Sequence, residues 1–289
     1  MARKPKIVRE ESEVRIYEGK AYTLLSYLTL IVVAVVCLGP LVWMLTTALK
    51  GRLDILSPVP KLLFTPTLEN FYSAFVQRDF AIYLRNSVLI ALGTMLLCCA
   101  VGIPAAYGFS RYKIYGGKHW FFFILSTRMA PGVVIALPLY ILLGKFQLLG
   151  THPAVIIAHT TFICSFVIWL MKGFFDDIPV ALENAAMVDG YSEAYVFFRI
   201  LLPAVKPGVV VVSLFSFIYS WNEFLFAMIL GGHEAKTLPA AFSGLVTPQG
   251  TYWGEICAAG VVVTLPIVLL TLFLQKYLVR GLSFGTVKG

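Results

Sequence analysis

The chain has 289 residues and a net charge of +8, yet only 13% of its residues are charged and 59% are hydrophobic, with a mean hydropathy of +0.83. A water-soluble domain has about a quarter of its residues charged, so the composition excludes one and describes an integral membrane protein. The long apolar runs exclude a β-barrel, which would need short alternating segments.

A hydrocarbon core about 30 Å thick requires roughly 20 apolar residues per helix. Six such spans are predicted near 22–48, 86–109, 119–143, 154–174, 205–230 and 256–278. The polar stretch MARKPKIVREESEVRIYEGK precedes the first span, which is too long for a signal-peptide core and is expected to be retained. The expected division is a cytoplasmic N-terminal segment 1–21, a six-helix transmembrane domain 22–280 and a cytoplasmic tail 281–289. With six spans both termini share one side. Fifteen Lys and Arg fall on that side and seven on the other, so the positive-inside rule puts both termini in the cytoplasm.

The loop 49–85 is the largest on the outer side. Pro58, Pro60, Pro66, Phe71, Tyr72 and Phe75 predict a folded cap with a short helix near 68–77, a natural surface for an outside partner. Cys37, Cys98, Cys99, Cys164 and Cys257 read as small packing residues. Gly116, Gly117 and Lys118 lack the glycine, hydroxyl and strand context of a phosphate loop and read as a basic turn. His119, His152, His159 and His233 are dispersed without metal-ligand spacing, and no catalytic set or metal site is expected.

Arg128 lies nine residues into the third span, about 13 Å from its cytoplasmic end. It is either a gate or interface residue or a snorkelling cation. Pro104, Pro131, Pro138 and Pro266 interrupt spans two, three and six and are expected bending points.

The loop 175–203 is predicted as two short helices. Asp177 and Pro179 start the first, Val180 to Val188 form it, and Gly190 supplies a left-handed exit. Ala181, Ala185 and Val188 recur at i, i+4 and i+7 as one narrow apolar stripe. Ser192 caps the second helix, which runs through Ile200 to Pro203 and Pro207. A helix this short needs packing to persist, either beneath its own bundle or in a soluble partner.

In span five, Trp221, Asn222 and Glu223 combine an aromatic face with amide and carboxylate groups suited to sugar hydroxyls. The same group could instead pin an interface with a partner membrane chain or with a protein docked from outside. Glu223 lies roughly 27 Å along its helix, too far in depth from Arg128 for an assumed salt bridge.

The pattern Ala185, Ala186, Asp189, Gly190 followed by Leu201, Leu202, Pro203 and Pro207 resembles the EAA loop of binding-protein-dependent ABC importers. "RMAPGVVIALPLYIL", "SWNEFLFAMIL", "YWGEICAAGVVVTLPIVLL" and the terminal "QKYLVRGLSFGTVKG" resemble maltose-type carbohydrate permeases, specifically the six-helix member of the permease pair.

The resemblance implies an all-α membrane protein of the type I ABC importer permease fold, in a bacterial inner membrane. Its six transmembrane helices would carry a cytoplasmic coupling helix. It implies a second permease, two ATP-binding subunits that hold ATP and Mg, an extracytoplasmic solute-binding protein and a carbohydrate-like solute, with no cofactor on this chain. Glu183, Asn184, Ala185, Ala186, Asp189, Gly190 and Phe198 would couple to the ATPase through the 178–200 loop, with Arg280, Gly281, Gly285 and Lys288 as a second contact. Asn184 departs from the motif, which has glutamate there; a pairing with the ATPase would then be lost or taken over by Glu183, one position earlier and about 100° around the helix. The alternative class is a self-sufficient secondary transporter of small solutes, which would need an intramembrane relay of Asp, Glu or His, or an inverted repeat.

Overall fold

The computed structural model describes residues 20–248 and 250–283, with side chains over 23–248 and 250–272. The expectations placed on residues 1–19, Gly285, Lys288 and the side chain of Arg280 lie outside that range. The main helices are α1 (Lys20–Ala48), α2 (Phe80–Arg111), α3 (Gly117–Met129), α4 (Gly132–Lys145), α5 (His152–Asp176), α6 (Val180–Val188), α7 (Glu193–Ala204), α8 (Lys206–Asn222), α9 (Leu225–Leu230) and α10 (Trp253–Ser283). The strands Val246–Thr247 and Gly250–Thr251 pair antiparallel in a small hairpin between α9 and α10.

Among the described residues, four helices are long and apolar enough to span a membrane by themselves, and up to six if each bent pair is one span. α3 and α4 meet at 102°, and α7 and α8 at 78°. The third span is therefore broken at Pro131, one of its two expected bending points. Ala130 before Pro131 is extended, with φ −71° and ψ 131°, the conformation that a following proline imposes. Pro104, Pro138 and Pro266 lie inside α2, α4 and α10 and do not end them, so of the four expected bending points only Pro131 coincides with a break. Span five is also divided, because Glu223 leaves the helix with ψ 129° before α9 begins.

The core is built on α2 and α5, with α8 laid against both. Cys98 and Ala106 of α2 meet Val167, Met171 and Phe175 of α5 and Val212 of α8. Gly102 allows this approach, since a Cβ there would lie 2.7 Å from Cγ1 of Val167. α1 stands outside the core against α10. Its side chains from Leu24 to Val42 are largely exposed, which is favourable when the surrounding solvent is lipid.

At the end of the bundle opposite Arg111, residues 49–79 form the expected cap. A helix over Glu69–Tyr72 widens into a π turn over Ser73–Gln77. The buried Asn70 amide donates to the carbonyls of Ala48 (2.9 Å) and Lys50 (2.7 Å), tying the cap to the end of α1. The Ser73 hydroxyl donates to Glu255 (3.2 Å), and the Arg78 guanidinium lies 3.9 Å from the centre of the Tyr252 ring. These contacts fix the cap on the start of α10. A cleft of about 560 Å³ lies between them.

Candidate functional site

Two regions hold the residues singled out in the sequence: the loop of α6 and α7 at the Arg111 end, and the polar groups within the spans.

α6 spans Val180–Val188, as its sequence predicts, and Gly190 follows at φ +90°, a conformation that glycine adopts without penalty. The Ser192 hydroxyl accepts from the amide of Tyr195 (3.3 Å) and caps α7. Asp177 does not cap α6. It ends α5, and Pro179 occupies the N-cap with no side-chain bond; the run from Asp177 to Pro179 is too short to separate the end of one helix from the start of the next.

Glu183 and Ala186, three residues apart and so on one helix face, point inward and are buried. The Glu183 carboxylate accepts from Nε of Arg111 and from the Tyr107 hydroxyl (3.2 Å). Arg111 also donates from Nη2 to the Ile178 carbonyl (3.0 Å). Glu183 is thus engaged within the chain and cannot replace the outward-facing carboxylate that Asn184 lacks, because one residue of α-helix turns its side chain about 100° away. Asn184, Ala185, Asp189 and Gly190 are exposed.

The stripe of Ala181, Ala185 and Val188 lies on the outward face, so it does not pack beneath its own bundle. Val188 is 87% exposed and Phe198 62%. Tyr191 and Tyr195 stack beside them with ring centroids 4.5 Å apart. Tyr112, just beyond α2, donates to Glu193 of α7 (3.0 Å), and this bond holds its phenol above the ordinary tyrosine range.

Within the spans the predicted sugar-binding trio separates. Trp221 is buried; its indole donates to the Val263 carbonyl (3.1 Å) and its ring stacks on Phe217. It therefore joins α8 to α10. Asn222 is exposed, with its amide on the Ile218 carbonyl (2.9 Å). Glu223 caps α9, accepting from the amides of Phe226 (3.0 Å) and Ala227 (3.2 Å).

Glu223 also pairs with Nε2 of His159 (2.9 Å), whose Nδ1 contacts the Ser220 hydroxyl (2.7 Å), which in turn donates to Thr94 (3.2 Å). His159 is fully buried. A histidine inside an apolar span is itself a signal, since an ionisable group there needs a partner; a search for metal spacing overlooks it. Arg128 is exposed and lies over the Phe166 ring at 5.2 Å. Phe166 is ten residues before the end of α5, about 15 Å along the helix. Arg128 and Glu223 are engaged separately, as their predicted depths require.

The family described as "Binding-protein-dependent transport system inner membrane component" matches residues 99–284. The chain is 37% identical over 257 residues to the probable ABC transporter permease protein y4oR of Sinorhizobium fredii, covering 89% of this chain and 92% of that protein. It is 31% identical over 266 residues to the trehalose/maltose transport system permease protein MalG of Thermococcus litoralis, covering 90% and 94%. Its fold matches a chain of a bacterial ABC transporter involved in the import of the acidic polysaccharide alginate, with a TM-score of 0.76 and 19% identity over 95% of this chain and 99% of the other. A multi-pass helical bundle matched by that family over more than half its length belongs to the binding-protein-dependent transport system inner membrane components.

Proposed function

We propose that the chain is the membrane subunit of an ATP-driven importer of sugars, polyols or glycosides. It forms the solute path with a second permease and receives its driving force through the 178–200 loop. The observation that carries this reading is the outward ridge of α6 and α7. Val188, Phe198, Tyr191 and Tyr195 stand exposed at the polar end of the bundle, where lipid does not cover them and apolar side chains gain from a protein partner. The Lys and Arg distribution supports a cytoplasmic position for that end and for both termini, and the partner in this reading is an ATP-binding subunit that holds ATP and Mg.

Asn184, Ala185, Asp189, Gly190 and Phe198 face the ATPase, while Glu183 and Ala186 brace the loop from within. The tail at Arg280, Gly281, Gly285 and Lys288 supplies a second contact. The cap over residues 49–79 receives an extracytoplasmic solute-binding protein. The carbohydrate class is supported by MalG, named for trehalose and maltose. Arg128 and Asn222, both exposed, line the path; Trp221 is set aside as a packing residue. A self-sufficient carrier would use His159 and Glu223 as a relay, but two backbone amides already hold that carboxylate as a helix cap.

Purification of the chain from its native membrane in mild detergent is expected to bring an ATP-binding subunit with it. A chain recovered intact from that membrane without an ATP-binding subunit overturns the reading.

A further inference from the structure

The end of α2 and the residue that follows it gather contacts from three elements, α5, α6 and α7. Tyr107 and Arg111 hold Glu183 of α6, Ser110 donates to Asp176 at the end of α5 (2.6 Å), and Tyr112 holds Glu193 at the start of α7. Lys172 closes the belt on the far side of Asp176 (2.6 Å). The Arg111 and Glu183 side chains are 8% and 5% exposed, so water competes little for either partner.

The chain joins α6 to its neighbours only through two short linkers. It leaves α5 through Asp177 to Pro179, and it reaches α7 through a turn at Gly190, where φ is +90°. Each linker is a short turn closed by local backbone hydrogen bonds, Ile178 on Phe175 and Tyr191 on Ala186. The Arg111 guanidinium, by contrast, grips α6 at the Glu183 carboxylate and the segment before it at the Ile178 carbonyl. A planar fork with several fixed donors resists rotation better than a single hydrogen bond. α2, to which Arg111 belongs, packs along α5 and α8, so a displacement delivered there reaches the core directly.

We infer that Arg111 is a positioning residue that acts as a strut, passing displacement of α6 into α2. The stroke then enters the bundle through a helix 72 residues away in sequence as well as through the covalent linkers to α5 and α7. This inference rests on the coupling role proposed above for the loop.

The test uses the complete transporter in proteoliposomes and reads solute taken up per ATP hydrolysed. Arg111→Glu and Glu183→Arg each lower that ratio about tenfold, and the double exchange recovers most of the loss, as a direct pair requires. Arg111→Lys keeps the charge without the fork and falls between. If a charge reversal prevents assembly, Glu183→Gln, of nearly the same shape, decides the matter by a lowered ratio in an assembly that still purifies whole. An unchanged ratio in Glu183→Gln, or a double exchange no better than the single reversals, overturns the strut. A parent chain that fails to bind the ATP-binding subunit overturns the coupling role instead, so the two failures are distinguishable.

Discussion

Glu223→Ala is expected to destabilise the folded chain by about 3–5 kcal/mol, since each buried group left without its hydrogen-bond partner costs about 1–3 kcal/mol. The change strips three groups at once. His159, fully buried, loses the partner of its Nε2, and the amides of Phe226 and Ala227 lose the acceptor that starts α9. Neither water nor lipid can replace a carboxylate at that depth. Glu223→Gln keeps an acceptor for one amide and a donor for a neutral imidazole, so it should fall well short of the alanine loss. Thermal unfolding of the detergent-solubilised protein separates the variants, with parent first, glutamine next and alanine far below. An alanine variant as stable as the parent would remove the cap and the histidine pairing from the account.

Val188→Glu should do the opposite, leaving stability alone and weakening association. Val188 is 87% exposed, and an exposed substitution away from caps and core is worth within about 0.5 kcal/mol of stability. In a docked interface the same site becomes a buried apolar contact. A carboxylate forced into it should weaken binding at least about thirtyfold, the scale of a 2 kcal/mol hot spot. Titrating the ATP-binding subunit onto the permease in lipid nanodiscs reads this directly, with Phe198→Glu as the companion variant on α7. Parent affinity in both variants would move the docking surface elsewhere.

What the sequence revealed was local. The bounds of α6, the exit at Gly190 and the cap at Ser192 rest on residues within a few positions of one another, where propensity and capping chemistry decide the outcome. The spans were legible because bilayer thickness imposes a length on apolar runs. The break at Pro131 was half legible: all four prolines have the same chemistry, but only at Pro131 does the chain turn, against Leu225 and Phe226 beside Gly132.

The direction of a polar side chain was not legible. Trp221, Asn222 and Glu223 are consecutive, yet they face α10, the exterior and His159 respectively. Periodicity could identify the stripe of Ala181, Ala185 and Val188 but not which side of it faced the bundle. The inward face was set by the pairing of Glu183 with Arg111, a long-range contact that no local pattern encodes.

ATP-driven uptake into proteoliposomes that hold this chain with its second permease, ATP-binding subunits and solute-binding protein tests the central claim most directly. With ATP supplied on the α6 side, solute should accumulate, and replacing the phosphate-loop lysine of the ATP-binding subunits should stop it. Accumulation by this chain alone, driven by an ion gradient without ATP, would contradict the account.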